Sequence, residues 1–131
     1  MSDVEILDQN LRPYQAFLDG LAAGSLLYQR CGKCAAAVFY PRVACNVCGS
    51  VDLAFQRSAG QGTVYSNTAV ASTGGPAYSV CIVELDEGFR MMSSVVDVPA
   101  EEVPIGLRVV CRFETSDGAD TRLVFAPRAA T

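Results

Sequence analysis

Two C-x-x-C turns, Cys31-Gly32-Lys33-Cys34 and Cys45-Asn46-Val47-Cys48, stand ten residues apart, and no other feature of this 131-residue chain limits its fold so sharply. Each turn can aim two sulfurs at one centre, while the backbone amides after its first cysteine soften the thiolate charge. Four thiolates at about 2.3 Å suit Zn²⁺ and fill its tetrahedral shell, which is the pattern of a structural rather than a catalytic site. Iron in a rubredoxin-like centre takes the same ligands, so Cys31, Cys34, Cys45 and Cys48 are fixed more firmly than the metal they hold. Two disulfides are the alternative, and they require an oxidising compartment. Met1-Ser2-Asp3-Val4-Glu5 is acidic where a secretory signal is basic, and no apolar run follows it. Reduced thiols, a bound metal and a cytoplasmic location are therefore expected.

The chain contains no histidine. Cysteine-histidine and serine-histidine nucleophile pairs are impossible within it, as is a zinc-histidine catalytic centre, so no catalytic residue is expected. The remaining cysteines, Cys81 and Cys111, lie in valine-rich segments that read as strands, where a thiol is a small buried hydrophobe with a raised pKa. Ten Lys and Arg face fourteen Asp and Glu, for a net charge of -4. With a pI near 4.6, such a chain has the wrong sign to neutralise a phosphate backbone, and nucleic acid is not an expected partner. Half the residues are hydrophobic and the mean hydropathy is +0.25, which points to apolar surface covered by a protein partner. No segment reaches the roughly 18 uninterrupted apolar residues that would cross a bilayer, so no membrane association is expected.

Three segments follow from the patterning: a helical segment over 1-25, a zinc ribbon over 26-57 and a β-barrel over 58-131. Residues 1 to 9 are polar or mixed and read as flexible. Tyr14, Phe17, Leu18 and Leu21 recur at helical spacing, Pro13 suits a first turn and Gly24 the position past the end, predicting a helix from about 12 to 23. So short a helix is marginal alone and must pack on its own domain or on a partner. Leu26-Leu27-Tyr28-Gln29-Arg30 leads into the first knuckle, Ala37-Val38-Phe39-Tyr40 lies between the knuckles and Leu53-Ala54-Phe55-Gln56-Arg57 leaves the second. These strands are too short to bury a core, so metal binding must supply folding free energy, on the order of 10 kcal/mol. Arg42 reads as a surface charge that offsets the thiolates. Beyond Ser58, strands are expected over Thr63-Ala71, Ala77-Leu85, Phe89-Val98, Leu107-Glu114 and Thr121-Phe125. They are separated by a loop at Ser72-Thr73-Gly74-Gly75-Pro76, tight turns at Asp86-Glu87-Gly88 and Ser116-Asp117-Gly118, and at most one helical turn at 99-104. Five short strands close more easily into an OB-type Greek-key barrel than they stack into a sandwich. The fold class is thus mainly β: N-terminal helix, rubredoxin-like zinc ribbon, five-stranded OB-fold barrel.

The pattern Cys31-x2-Cys34, Pro41-Arg42, Cys45-x2-Cys48-Gly49, Ser58-x-Gly60-x-Gly62-x-Val64-x-Ser66, Leu85-Asp86-Glu87-Gly88, Ile105-Gly106-x-x-Val109 and Phe125-x-Pro127 resembles the acyl-CoA-associated zinc-ribbon and OB-fold family, long catalogued as domain of unknown function 35. The resemblance covers nearly the whole chain and matches the order helix, ribbon, barrel. It implies a non-catalytic accessory subunit in a hetero-oligomer with a thiolase-like enzyme, or beside a hydratase or aldolase. Such a subunit would scaffold an acyl-CoA-processing complex and help to bind its substrate. Where the barrel borders a CoA site, the contacts would be Gly60, Gly62 and the Gly74-Gly75 loop with Tyr78, and Arg90 or Arg112 would meet the phosphates. The bland alternative is that these glycines only make turns. Asp86-Glu87-Gly88 offers paired carboxylates, but a hairpin turn with solvated charges accounts for them. Two other functions use the same parts: a nucleic-acid-binding ribbon and OB module, which needs a basic groove lined with aromatics, and a rubredoxin-like electron carrier, which needs iron.

Overall fold

The structure, a computed structural model, describes residues 12-115 and 121-128. The N-terminal residues 1 to 9 and the turn expected at Ser116-Asp117-Gly118 lie outside them. The chain divides between Ala59 and Gly60 into two compact units, and the helix belongs with the ribbon in the first.

Helix α1 spans Pro13–Ala22, with proline in its first turn where a missing N–H costs nothing. Its end is a Schellman motif: Ser25 N–H donates to Gly20 C=O at 2.8 Å and Gly24 N–H to Leu21 C=O at 3.0 Å, with Gly24 at φ +80. The buried stripe is Phe17, Gly20 and Leu21. Gly20 was not part of the expected face, and Leu27 explains it: a Cβ on Gly20 would lie 2.7 Å from Leu27 Cδ1, so glycine lets the helix sit against the ribbon. Phe17 meets Phe39 edge-on at 5.4 Å. Tyr14, expected on the same face, is 61% exposed.

The ribbon is a three-stranded sheet in the order β2-β1-β3, with β1 at Leu27–Cys31, β2 at Ala37–Val38 and β3 at Leu53–Arg57. Gln29 is buried on its central strand. Its Nε2 donates to Arg42 C=O at 2.7 Å and its Oε1 accepts Arg42 N–H at 2.6 Å. Both ends of the buried amide are satisfied, as burial demands. The fold therefore holds Arg42 by its backbone, a role the sequence reading of a surface charge did not include.

The second unit is a five-stranded antiparallel sheet in the order β6-β5-β4-β7-β8. Its strands are β4 Gln61–Ser72, β5 Gly75–Leu85, β6 Arg90–Ser93, β7 Arg108–Glu114 and β8 Arg122–Pro127, with a 3₁₀ turn at Ala100–Glu102. Val64, Val83, Val109, Val124 and Phe125 form its buried centre. Among the described residues the two edges meet at one parallel bridge, Val95 to Phe125, rather than along a closed ladder. Phe125 N–H donates to Ser94 C=O at 2.9 Å and Val96 N–H to Phe125 C=O at 2.8 Å. The strand expected over Phe89-Val98 stops at Ser93 because the chain then turns to β8. The loop expected at Ser72-Pro76 is a two-residue turn, with Gly74 at φ +75 and Ser72 paired to Gly75. Pro76 falls in the register shift beyond that pair, where a residue without an N–H is tolerated.

Gly60 opens this unit at φ +74, and a Cβ there would collide with the Cys111 sulfur. Cys111 N–H donates to Gly60 C=O at 2.7 Å, so neither partner can retreat. Gly60→Ala is expected to lower stability by about 2-4 kcal/mol through clash and left-handed strain together. Adding Cys111→Ala should restore the clash part but not the strain, which thermal unfolding of the single and double variants will resolve.

Candidate metal centre

The two knuckles are built alike. Cys31 ends β1 and Cys34 follows in a turn; Cys45 and Cys48 occupy a second turn before β3. In the first, Ala35 N–H donates to Cys31 C=O and Cys31 N–H to Ala36 C=O, both at 2.9 Å. In the second, Gly49 N–H donates to Cys45 C=O at 2.9 Å and Cys45 N–H to Ser50 C=O at 2.8 Å. The residue after each second cysteine is left-handed: Gly49 at φ +78 and Ala35 at φ 64. For alanine that conformation costs roughly 1-2 kcal/mol, a cost the surrounding turn must offset.

These turns bring all four Sγ atoms within 4.8 Å of one another. Across the knuckles, Cys31 to Cys48 is 3.6 Å and Cys34 to Cys45 is 3.7 Å. A tetrahedron with metal–sulfur bonds of about 2.3 Å has edges of about 3.8 Å, so the spacing fits a tetrathiolate. No pair is at disulfide distance, and all six cysteines are free. Cys31 and Cys45 are buried, Cys34 and Cys48 exposed. Together with Val38 and Leu53, the buried pair forms the small apolar cluster of the ribbon.

Backbone amides prepare the first sulfur of each knuckle. Cys34 N–H points at Cys31 Sγ from 3.5 Å, and chiefly this amide brings the Cys31 thiol down to about 6. The amides of Cys48 and Val47 lower Cys45 in the same way; Val47 N–H lies 3.3 Å from its sulfur. Cys34 is the opposite. The Ala36 amide pulls it down, but desolvation and the sulfurs of Cys45, Cys48 and Cys31 outweigh that and push it up to about 12. Four thiolates in this space would repel one another. A divalent cation would remove the obstacle.

The five residues considered for CoA separate by position. Gly60 and Gly62 are buried; Gly60 backs onto Cys111, and a Cβ on Gly62 would lie 2.6 Å from Glu84 C=O. Their glycines serve strand packing. Gly74 is at the open tip of the β4-β5 hairpin, with nothing within 4 Å of a Cβ there. Tyr78 is 50% exposed on β5. The Arg90 guanidinium lies 3.9 Å from the Tyr65 ring centroid and 3.5 Å from Glu84. Arg112 binds Asp97 at 2.6 Å. In the 86-88 turn, Asp86 receives both arms of Arg108 at 2.8 Å, which holds its carboxyl below the usual range. Arg108 keeps it an anion, an ion pair where the sequence reading expected a solvated charge. The shallow depression beside it is lined by Thr63, Glu84, Leu85, Asp86 and Gly88, an acidic wall unsuited to CoA phosphates.

Comparison with known proteins follows this division. Residues 18-54 match the model of the ChsH2 rubredoxin-like zinc ribbon domain and residues 55-114 that of the ChsH2 C-terminal OB-fold domain. The chain belongs to the ChsH2 zinc-ribbon and OB-fold family, DUF35. This ChsH2-family chain is 35% identical over 106 residues to a probable enoyl-CoA hydratase alpha subunit of Thermomonospora curvata. That match covers 78% of the chain and 33% of the relative, so the chain spans about a third of that protein's length. Among solved structures it resembles a chain of an Ltp2-ChsH2(DUF35) aldolase at TM-score 0.77 and 31% identity, covering 86% of this chain and 92% of that one. A DUF35 protein of unknown function from Sulfolobus solfataricus matches at TM-score 0.64 and 12% identity over 95% and 96% of the two chains, a likeness of fold alone.

Cys45→Ser is expected to abolish stoichiometric metal binding and unfold the ribbon while the second unit keeps its β-sheet signal; full metal retention would contradict the ligand set.

Proposed function

We propose that this chain is a non-catalytic accessory subunit of an acyl-CoA-processing enzyme, with Zn²⁺ held by Cys31, Cys34, Cys45 and Cys48 as a staple for the ribbon. The observation that carries the reading is the likeness, at 31% identity and over 92% of that chain's length, to a chain of a solved Ltp2-ChsH2(DUF35) aldolase. The Thermomonospora curvata relative, named as an enoyl-CoA hydratase subunit, supports the same chemistry from a second direction. The partner is a thiolase-, hydratase- or aldolase-like subunit that carries the catalytic residues, since this chain has no histidine. The closed tetrathiolate geometry suits a structural ion, which supplies folding free energy and no reactive position. We place the complex in the cytoplasm, where the thiols stay reduced. Its CoA contacts fall to Gly74, Tyr78 and Arg90, because Gly60 and Gly62 are enclosed by their neighbours.

The electrostatics weigh against the nucleic-acid alternative. Arg90, Arg108 and Arg112 each face a carboxylate, which leaves these three cations of the second unit compensated rather than assembled into a groove. Purification of the tagged chain from its native cells, with mass spectrometry and metal analysis of the eluate, tests the proposal. An acyl-CoA enzyme in fixed ratio, with about one zinc per chain, is the expected result. Bound RNA, or an iron-red monomer, would overturn it.

A further inference from the structure

The β4-β5 hairpin reaches well beyond the sheet that supports it. β4 pairs with β7 only over Gln61 to Thr63, and β5 with β6 only over Cys81 to Glu84. From Thr68 to Tyr78 the hairpin is a two-stranded arm, exposed or half-buried throughout. An isolated two-stranded hairpin is marginal in water, yet this one is anchored with care. Ser79 Oγ donates to Asn67 Oδ1 at 2.6 Å and accepts Val95 N–H at 3.3 Å, while Asn67 Nδ2 donates to Ala100 C=O at 3.0 Å. The base is fixed and the rest is presented.

Its chemistry is as unusual as its exposure. From Ser58 to Val83 no residue is charged; at the chain's 18% charged content, a stretch of that length would carry about five charges. The register places Val70 beside Tyr78, Thr68 beside Val80, and Ser66 beside Ile82 and Met92 on one face. Of these Tyr78 is 50% and Met92 59% exposed. The strip ends at the Glu84–Arg90 pair. An uncharged centre with aromatic and methionine anchors and a charged rim is the anatomy of a protein interface. Two strands of about eleven residues, widened to three over the four residues of β6, give a face of about 400 Å². With the far side of the arm, the total is on the order of 600 Å², at the lower end of the ~600-1,000 Å² that each partner of a standard interface contributes.

We infer that this arm and the strip at its base dock into an uncharged groove on the enzyme subunit of the complex. The inference rests on the accessory-subunit reading and names the surface through which it works. A charge-free surface finds its complement in a neutral one, and it offers no cation to a phosphate backbone. A second copy paired along the free edge of β4 is disfavoured by the register shifts at Val64/Ser66 and Val70/Ser72, which interrupt that edge.

Val70→Lys and Tyr78→Glu, both at exposed or half-buried positions, test it in the full chain purified from native cells, with thermal unfolding to confirm the fold. Ile105→Lys, at a residue 65% exposed outside the arm and the metal knuckles, is the control. The expected result is that the wild type and Ile105→Lys recover the same acyl-CoA enzyme, identified by mass spectrometry, while the arm variants recover at least about tenfold less. Equal recovery by all variants, or loss with Ile105→Lys alone, overturns the docking assignment and leaves the accessory-subunit reading standing. A wild-type chain that recovers no such enzyme overturns both. A wild-type dimer in sedimentation that the arm variants dissociate, with enzyme recovery unchanged, makes the occupant a second copy and overturns the inference alone.

Discussion

The crowding of four sulfurs is the interaction on which the first unit depends. Within 4.8 Å of one another four thiolates would repel, and the setting holds Cys31 below the ordinary thiol range while it pushes Cys34 above it. The ribbon around them has little else to hold it: a two-residue β2, two five-residue strands and an apolar cluster of Cys31, Val38, Cys45 and Leu53. Two members of that cluster are metal-ligand candidates themselves, so core and metal centre are one object. The knuckle amides that lower Cys31 and Cys45 also fix the turn geometry, and electrostatic preparation comes with the backbone fold.

The second unit solves its problem differently. A sheet with buried Val64, Val83, Val109, Val124 and Phe125 has an apolar core that contains none of the four metal-ligand candidates. What it lacks is a closed ladder, and a few side chains do that work. Ser79 ties Asn67 to Val95, Ser93 donates to Leu123 C=O, and the backbone at Ser94 to Val96 reaches β8. These contacts hold the sheet edges together and leave the β4-β5 arm clear of them.

That division gives the family membership a physical sense. The ribbon is built around four sulfurs at tetrathiolate spacing, and the β unit presents an uncharged two-stranded arm. The compensated arginines fit the same picture, because Arg108 and Arg112 are used to lock Asp86 and Asp97.

The sequence by itself determined what depends on local spacing. The four metal-ligand candidates, the helix starting at Pro13 and stopping at Gly24, and most of the strands of the second unit were legible, because each is set by residues within a few positions of one another. Tertiary structure decided the rest. Gln29 reads as an ordinary strand polar residue until its amide is seen to clamp Arg42; Gly60 and Gly62 read as ligand-friendly turns until Cys111 and Glu84 are seen against them. Arg108 and Asp86 are separated by 22 positions, and Ser79 and Val95 by 16. No periodicity encodes such pairs, because they exist only once the sheet has set its register and brought distant backbone together.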